Sequence, residues 1–147
     1  DASFEILARR HFAKVPEFYA LESFRVQTER RFNAKGKLIT ISEAVLKLKG
    51  EGKSKLTVSE GNGPVNAMDK ALRKALVKSY PKLKQMQLVD YKVRILTPEQ
   101  GTEAVTRVLI ESADAKGNRW STVGVSSNVI DASYNALQDS ITYFLMN

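Results

Sequence analysis

The feature that most constrains this chain is that it repeats itself. Leu21-Glu22-Ser23-Phe24-Arg25-Val26 is matched by Leu88-Val89-Asp90-Tyr91-Lys92-Val93, and Ser42-Glu43-Ala44-Val45 by Thr102-Glu103-Ala104-Val105. Asn66-Ala67 with Ala71-Leu72 is matched by Asp131-Ala132 with Ala136-Leu137. The offset is about 60–67 residues, the length of one strand–strand–strand–helix unit. A unit that small closes no core alone, so two are expected to pack together. The fold class expected is α+β: two pseudo-symmetric βββα repeats, antiparallel sheets packed with two helices, preceded by an N-terminal linker helix.

The hydropathy pattern places the elements. Residues 2–15 read as a helix whose stripe is Phe4, Leu7, Ala8, His11, Phe12 and Val15, ended by Pro16. From Leu21 the period becomes two, with Phe24, Val26 and Thr28 on one face. A turn at Asn33-Ala34-Lys35-Gly36 leads to a strand over 40–49 with Ala44, Leu46 and Leu48 inward. A turn at 50–53 leads to a third strand over 54–59. A helix from Val65 to about Tyr80 follows, with Val65, Met68, Leu72, Ala75 and Leu76 as its apolar side. The second repeat reads as strands over 86–97, 102–112 and 119–126, then a helix over about 128–145. Residues 1–19 are expected to be a linker subdomain and 20–147 one domain, with repeats of about 20–82 and 85–147.

Composition narrows the function. There is no cysteine and one histidine, so disulfides, thiol chemistry and thiolate metal sites are excluded, and a zinc site has a poor ligand set. The absence of cysteine fits a reducing, cytoplasmic setting. No run approaches the ~18 apolar residues of a membrane span, and no membrane partner is expected. The net charge of +7 suits an anionic partner. The cations are spread out, however, and no aromatic residues interleave with them to stack bases. A nucleic-acid-binding module therefore stands as an alternative, with a solvated basic face preferred. The first residue is Asp1 rather than Met, so a piece of a longer protein is expected.

Catalysis finds little support. A nucleophile needs an adjacent base, and His11 lies on an amphipathic arm beside Arg9 and Arg10. The carboxylates sit mostly on strands beside basic residues, where they form solvated ion pairs. No catalytic and no metal residue is assigned. The sharpest segment is Glu60-Gly61-Asn62-Gly63-Pro64-Val65, two glycines around Asn62 directly before a helix. Glycine allows positive φ and close backbone approach, and a helix start favours an anion. A tight strand-to-helix turn with Asn62 bonding its own backbone is the plainer reading. The Lys-Ser/Thr ending of a phosphate loop is missing. The equivalent point of the second repeat is Ser126-Ser127-Asn128, good capping types.

Three stretches carry a resemblance: Glu60-Gly61-Asn62-Gly63-Pro64-Val65-Asn66-Ala67, Leu88-Val89-Asp90-Tyr91-Lys92-Val93-Arg94-Ile95 and Gly124-Val125-Ser126-Ser127-Asn128-Val129-Ile130-Asp131-Ala132-Ser133. Over about residues 20–147 the chain resembles the C-terminal regulatory domain of the 2-isopropylmalate synthase and citramalate synthase family, more the citramalate synthases. The resemblance implies an allosteric homodimerisation domain that binds isoleucine as feedback inhibitor, with leucine as the alternative effector. It implies an N-terminal catalytic barrel elsewhere in the same chain, which condenses acetyl-CoA with a 2-keto acid, expected to be pyruvate, using a divalent metal. The fragment itself is then non-catalytic and without a cofactor. The effector residues implied are Gly61, Asn62, Gly63, Pro64, Val65 and Asn66 at the helix start, with Leu88, Tyr91 and Ile95 as an apolar wall. Thr102, Ala104 and Val105 in the following strand, and Ser126 and Ser127 at the second turn, complete the set. Leu88 is an odd number of residues from Tyr91, so sharing a face requires a bend or a bulge.

Overall fold

The architecture is taken from a computed structural model, which describes residues 2–12, 15–50 and 52–147, without the side chains of residues 12, 98, 100 and 102. The elements are α1 (Ala2–Phe12), β1 (Ala20–Phe32), β2 (Leu38–Gly50), β3 (Lys53–Gly61), α2 (Pro64–Leu76), β4 (Gln87–Ile95), β5 (Thr106–Ala113), β6 (Arg119–Ser126) and α3 (Val129–Met146). Short 3-10 segments at Pro81–Gln85 and Pro98–Glu103 flank β4. The strands form two antiparallel three-stranded sheets, β1-β2-β3 and β4-β5-β6. The fold is α+β, with one βββα unit per sheet. The chain divides into two compact units, Glu17–Ser79 and Asp1–Pro16 with Tyr80–Asn147.

In Glu17–Ser79, α2 lies on β2 and β3, with a smaller contact on β1. Ala44, Leu46 and Leu48 of β2 are buried with Ala67, Met68, Ala71, Leu72 and Ala75 of α2. These are the inward residues expected from the period-two and 3.6-residue patterns. In the other unit, α3 lies on β5 and β6. Val108 and Ile110 of β5 are buried with Ala132, Ala136, Leu137 and Ile141 of α3. Burying one such aliphatic side chain contributes about 2 kcal/mol.

The repeat extends to single hydrogen bonds. Thr57 Oγ1 donates to the Ala71 carbonyl at 2.9 Å, and Thr122 Oγ1 to the Ala136 carbonyl at 2.7 Å. Lys55 Nζ donates to the Ala75 carbonyl at 3.3 Å, and Trp120 Nε1 to the Ser140 carbonyl at 3.2 Å. In each unit a side chain of the third strand thus ties the strand to a helix carbonyl. The first strands match as well: the register slips at Glu22, between Leu21 and Ser23, and at Val89, between Leu88 and Asp90. Each slip is a β-bulge, one extra residue against the partner strand.

Three details differ from the sequence pattern. On α1 the buried residues are Ala2 and Ile6, whereas Phe4 and Leu7 are 70% and 65% exposed. The helix docks beside β6 and α3 through its smaller face, and Ser3 Oγ accepts from Val123 N at 2.8 Å. Residues 13 and 14, inside the expected end of this helix, lie outside the described residues. The strand expected over 102–112 starts at Thr106. Pro98 opens a 3-10 turn there, and Gly101 at φ 60 reverses the chain before pairing resumes. Thr106 therefore stands where Ser42 stands: each is paired with both neighbouring strands, to Ile95 and Ser126 in one sheet and to Thr28 and Gly61 in the other. The match of Ser42 with Thr102 is four residues out of register.

Candidate functional site

The Glu60–Asn66 turn is built by a close approach. Gly61 is the last residue of β3, and a Cβ there would lie 2.5 Å from Asn66 Oδ1, 2.6 Å from Ala67 N and 2.9 Å from Ala67 Cα. The glycine lets the strand end run against the first turn of α2. Positive φ is not the reason for either glycine: Gly63 has φ −162 and ψ 174, extended backbone open to any residue, with nothing within 4 Å of a Cβ. The two glycines expected to act alike have different jobs. Asn62 N donates to Asn66 Oδ1 at 3.2 Å, so Asn66, rather than Asn62, closes the turn with its side chain.

The two helix starts then differ in their electrostatics. Gly63 is the cap of α2 and has no side chain to accept from the first amides. Pro64 fills the first helical position, where its missing N–H costs nothing. Val65 and Asn66 follow at the positions whose amides a capping side chain normally takes, and the first turn holds no acid. At α3 the cap is Asn128, whose Oδ1 accepts from Ile130 N at 2.8 Å and Asp131 N at 3.3 Å. Asp131 puts an acid in that first turn. The α3 start is thus satisfied by its own residues, whereas the α2 start has no side-chain cap at its positive dipole end.

Of the second-turn residues, Ser126 Oγ accepts from Asn128 N at 3.1 Å, and Ser127 is exposed. Both serve or flank the cap. Further along α2, Asp69 is buried and accepts from Arg73 Nε at 2.9 Å. Burial pushes its carboxyl up, against the opposing pull of the Arg73 guanidinium.

Leu88, Tyr91 and Ile95 lie in the other unit, on one face of β4. The bulge at Val89 brings this about: Leu88 pairs with Ser112, Tyr91 with Ile110 and Ile95 with Thr106, all alternate residues of β5. The odd spacing is resolved by the extra residue. Tyr91 Oη lies 3.2 Å from Ser133 Oγ of α3. α3 covers β5 and β6, and Tyr91, Val93 and Ile95 remain 41%, 47% and 55% exposed. Ala104 is buried, and Val105 N donates to Thr97 Oγ1 at 2.7 Å. These two lie in the loop before β5, outside any strand. The Thr102 side chain lies outside the described residues. The structure thus groups Gly61 to Asn66 at one turn and Leu88, Tyr91 and Ile95 on one strand face, each group in its own unit.

Residues 1–145 match the family model described as the LeuA allosteric (dimerisation) domain. The (R)-citramalate synthase of Aquifex aeolicus is 50% identical over 99% of this chain, and that of Geobacter sulfurreducens 52% over 99%. The 2-isopropylmalate synthase of Aquifex aeolicus is 32% identical over 96% of it. The chain spans 27% of the length of the two citramalate synthases and 24% of the third.

Proposed function

The chain belongs to the LeuA allosteric (dimerisation) domain family, and from that premise we propose that it is the regulatory, homodimerising domain of an acetyl-CoA-dependent (R)-citramalate synthase, with isoleucine as its feedback inhibitor. Higher identity to the citramalate synthases than to the 2-isopropylmalate synthase supports isoleucine over leucine. In this reading the condensation belongs to a catalytic barrel outside this chain, and these residues only sense. The setting is the cytoplasm, where such biosynthesis has its substrates.

The observation that carries the reading is that the start of α2 has no side-chain cap whereas the start of α3 has one. A ligand carboxylate takes the place at Val65 N and Asn66 N that Asn128 Oδ1 takes at α3. Burying the branched side chain against apolar protein surface contributes about 2 kcal/mol; Leu88, Tyr91 and Ile95 form one such face within their own unit. Inhibition requires the effector to bind one state of the dimer better than another.

Gly63→Asn tests the site directly. The substituted side chain caps α2 as Asn128 caps α3 and has the space to do so. Isoleucine binding measured by calorimetry falls by about tenfold or more, the loss expected when a charged carboxylate's hydrogen bonds are displaced, and thermal stability is unchanged or raised. Equal affinity in the variant removes the α2 start as the carboxylate site. A preference for leucine transfers the reading to a 2-isopropylmalate synthase, and no binding of either amino acid overturns the sensing role.

A further inference from the structure

A cavity of about 380 Å³ lies within the second unit, at the end of α3, and none of the residues assigned to effector binding lines it. Its size is at the lower end for small organic ligands. Lys82, Lys116 and Arg119 reach it from three separate segments: the Pro81–Gln85 turn, the β5–β6 turn and the start of β6. Their local partners are weak. Arg119 Nη1 is 3.2 Å from Glu111 Oε1 with 60% of its side chain exposed, and Lys82 Nζ stands 5.1 Å from the centre of the Phe144 ring. The one acidic side chain among the described lining residues, Asp114, is already committed. It accepts from Lys116 N, Asn118 N and Asn118 Nδ2 at 2.9 to 3.0 Å, and these bonds hold it below the usual carboxylate range. The floor is aromatic and fixed: Trp120 stacks on Phe144 at 5.5 Å, and its Nε1 is bonded to Ser140. The first repeat has Lys55 where Trp120 stands, so this floor is peculiar to the second.

We propose that this cavity binds a small, multiply charged oxyanion, held by Lys82, Lys116 and Arg119 over the Trp120–Phe144 floor. One charge-assisted contact leaves most of such a lining unused, whereas a phosphate ester or a polycarboxylate presents several oxygens to the guanidinium fork and the two ammonium groups. The site stands independently of amino-acid sensing at the α2 start.

Trp120 is the single tryptophan of the chain, so its fluorescence reports this cavity and no other. Pyrophosphate and citrate are the probes, titrated at constant ionic strength, with acetate as the monovalent control. A saturable change with either probe and none with acetate is expected, and the probe that acts names the oxyanion class. Lys116→Gln with Arg119→Gln weakens binding by about tenfold or more, while Lys47→Gln with Lys49→Gln on another sheet leaves it unchanged. Circular dichroism confirms the fold of each variant. No saturable response to either probe, or the same affinity in the Lys116/Arg119 variant, overturns the site.

Discussion

Gly124 and Gly63 are chemically identical and structurally opposite. A Cβ on Gly124 would run into the Ala132 carbonyl group and come within 3.0 Å of Ala136 N, all helix backbone of α3. Backbone does not swing aside as a side-chain tip does, so helix and strand must separate. Gly124→Ala is expected to destabilise the fold by about 3 kcal/mol or more. Gly63→Ala meets open space and stays within about 0.5 kcal/mol of the parent. Chemical denaturation of both variants measures the contrast, and a Gly124→Ala loss as small as that of Gly63→Ala would contradict the close packing of β6 on α3. The sequence showed both glycines and their place before or on an element. It held no signal for which one touches backbone, because that depends on the distance between two elements. Gly61 illustrates the same limit. A β-branched residue there strikes the α2 backbone, so loss of binding by such a variant reports folding as much as recognition.

At the scale of elements, α1 shows how a periodic pattern mistakes its face. Phe4, Leu7 and Ala8 form a larger apolar stripe than Ala2 and Ile6, yet the smaller stripe is buried. Polar detail sets the docking. Ser3 Oγ accepts from Val123 N at the free edge of β6, and its one hydroxyl proton is shared between the Val123 carbonyl and the Asp139 carboxyl of α3. No hydropathy count weighs a serine that way. The bulges were more legible: the odd interval from Leu88 to Tyr91 required an irregularity, and the matching Leu21–Phe24 interval has the same one. Asp139 gives this contact a pH dependence. Burial raises its carboxyl above the ordinary 3.8, with the Ser3 hydrogen bond and the Arg10 charge pulling the other way. The folded state therefore binds that proton more tightly than the unfolded chain does. Ionised Asp139 costs stability above the raised value, and the cost vanishes as pH falls to 3.8. Asp139→Asn is expected to melt higher than the parent at neutral pH, with the gap closing toward that pH. Melting curves across the range measure it, and a gap independent of pH would show that desolvation of this carboxyl is not the cause.

At the scale of the molecule, each unit covers two strands of its sheet with one helix and leaves the first strand less covered. The architecture was readable because the repeat fixes it twice: Ala44, Leu46 and Leu48 in one unit, and Val108 and Ile110 in the other, alternate inward beneath helices of matching pattern. The family was readable only through its motifs, since no constellation of catalytic side chains marks a turn of this kind. The exposed run on β4 is where fold and assembly meet. Val89, Tyr91, Val93, Ile95 and Leu96 are each 41 to 55% exposed, and Tyr91, Val93 and Ile95 share one face of the strand, an apolar surface of the kind that marks an interaction site. If the domain dimerises, burial of this strand supplies apolar driving force, and stability becomes dependent on concentration. Val93→Lys separates assembly from folding. Val93 is half exposed, so its replacement costs the monomer about 0.5 kcal/mol or less, and because it shares the face of Tyr91 and Ile95, isoleucine affinity is measured beside assembly. A buried ammonium in a dimer interface with no partner costs far more. Sedimentation equilibrium is expected to show the variant shifted toward monomer by tenfold or more in dissociation constant, with an unfolding midpoint that no longer rises with concentration. A variant that associates as tightly as the parent places the dimer interface away from β4, and the exposed face of that strand is then free for the effector alone.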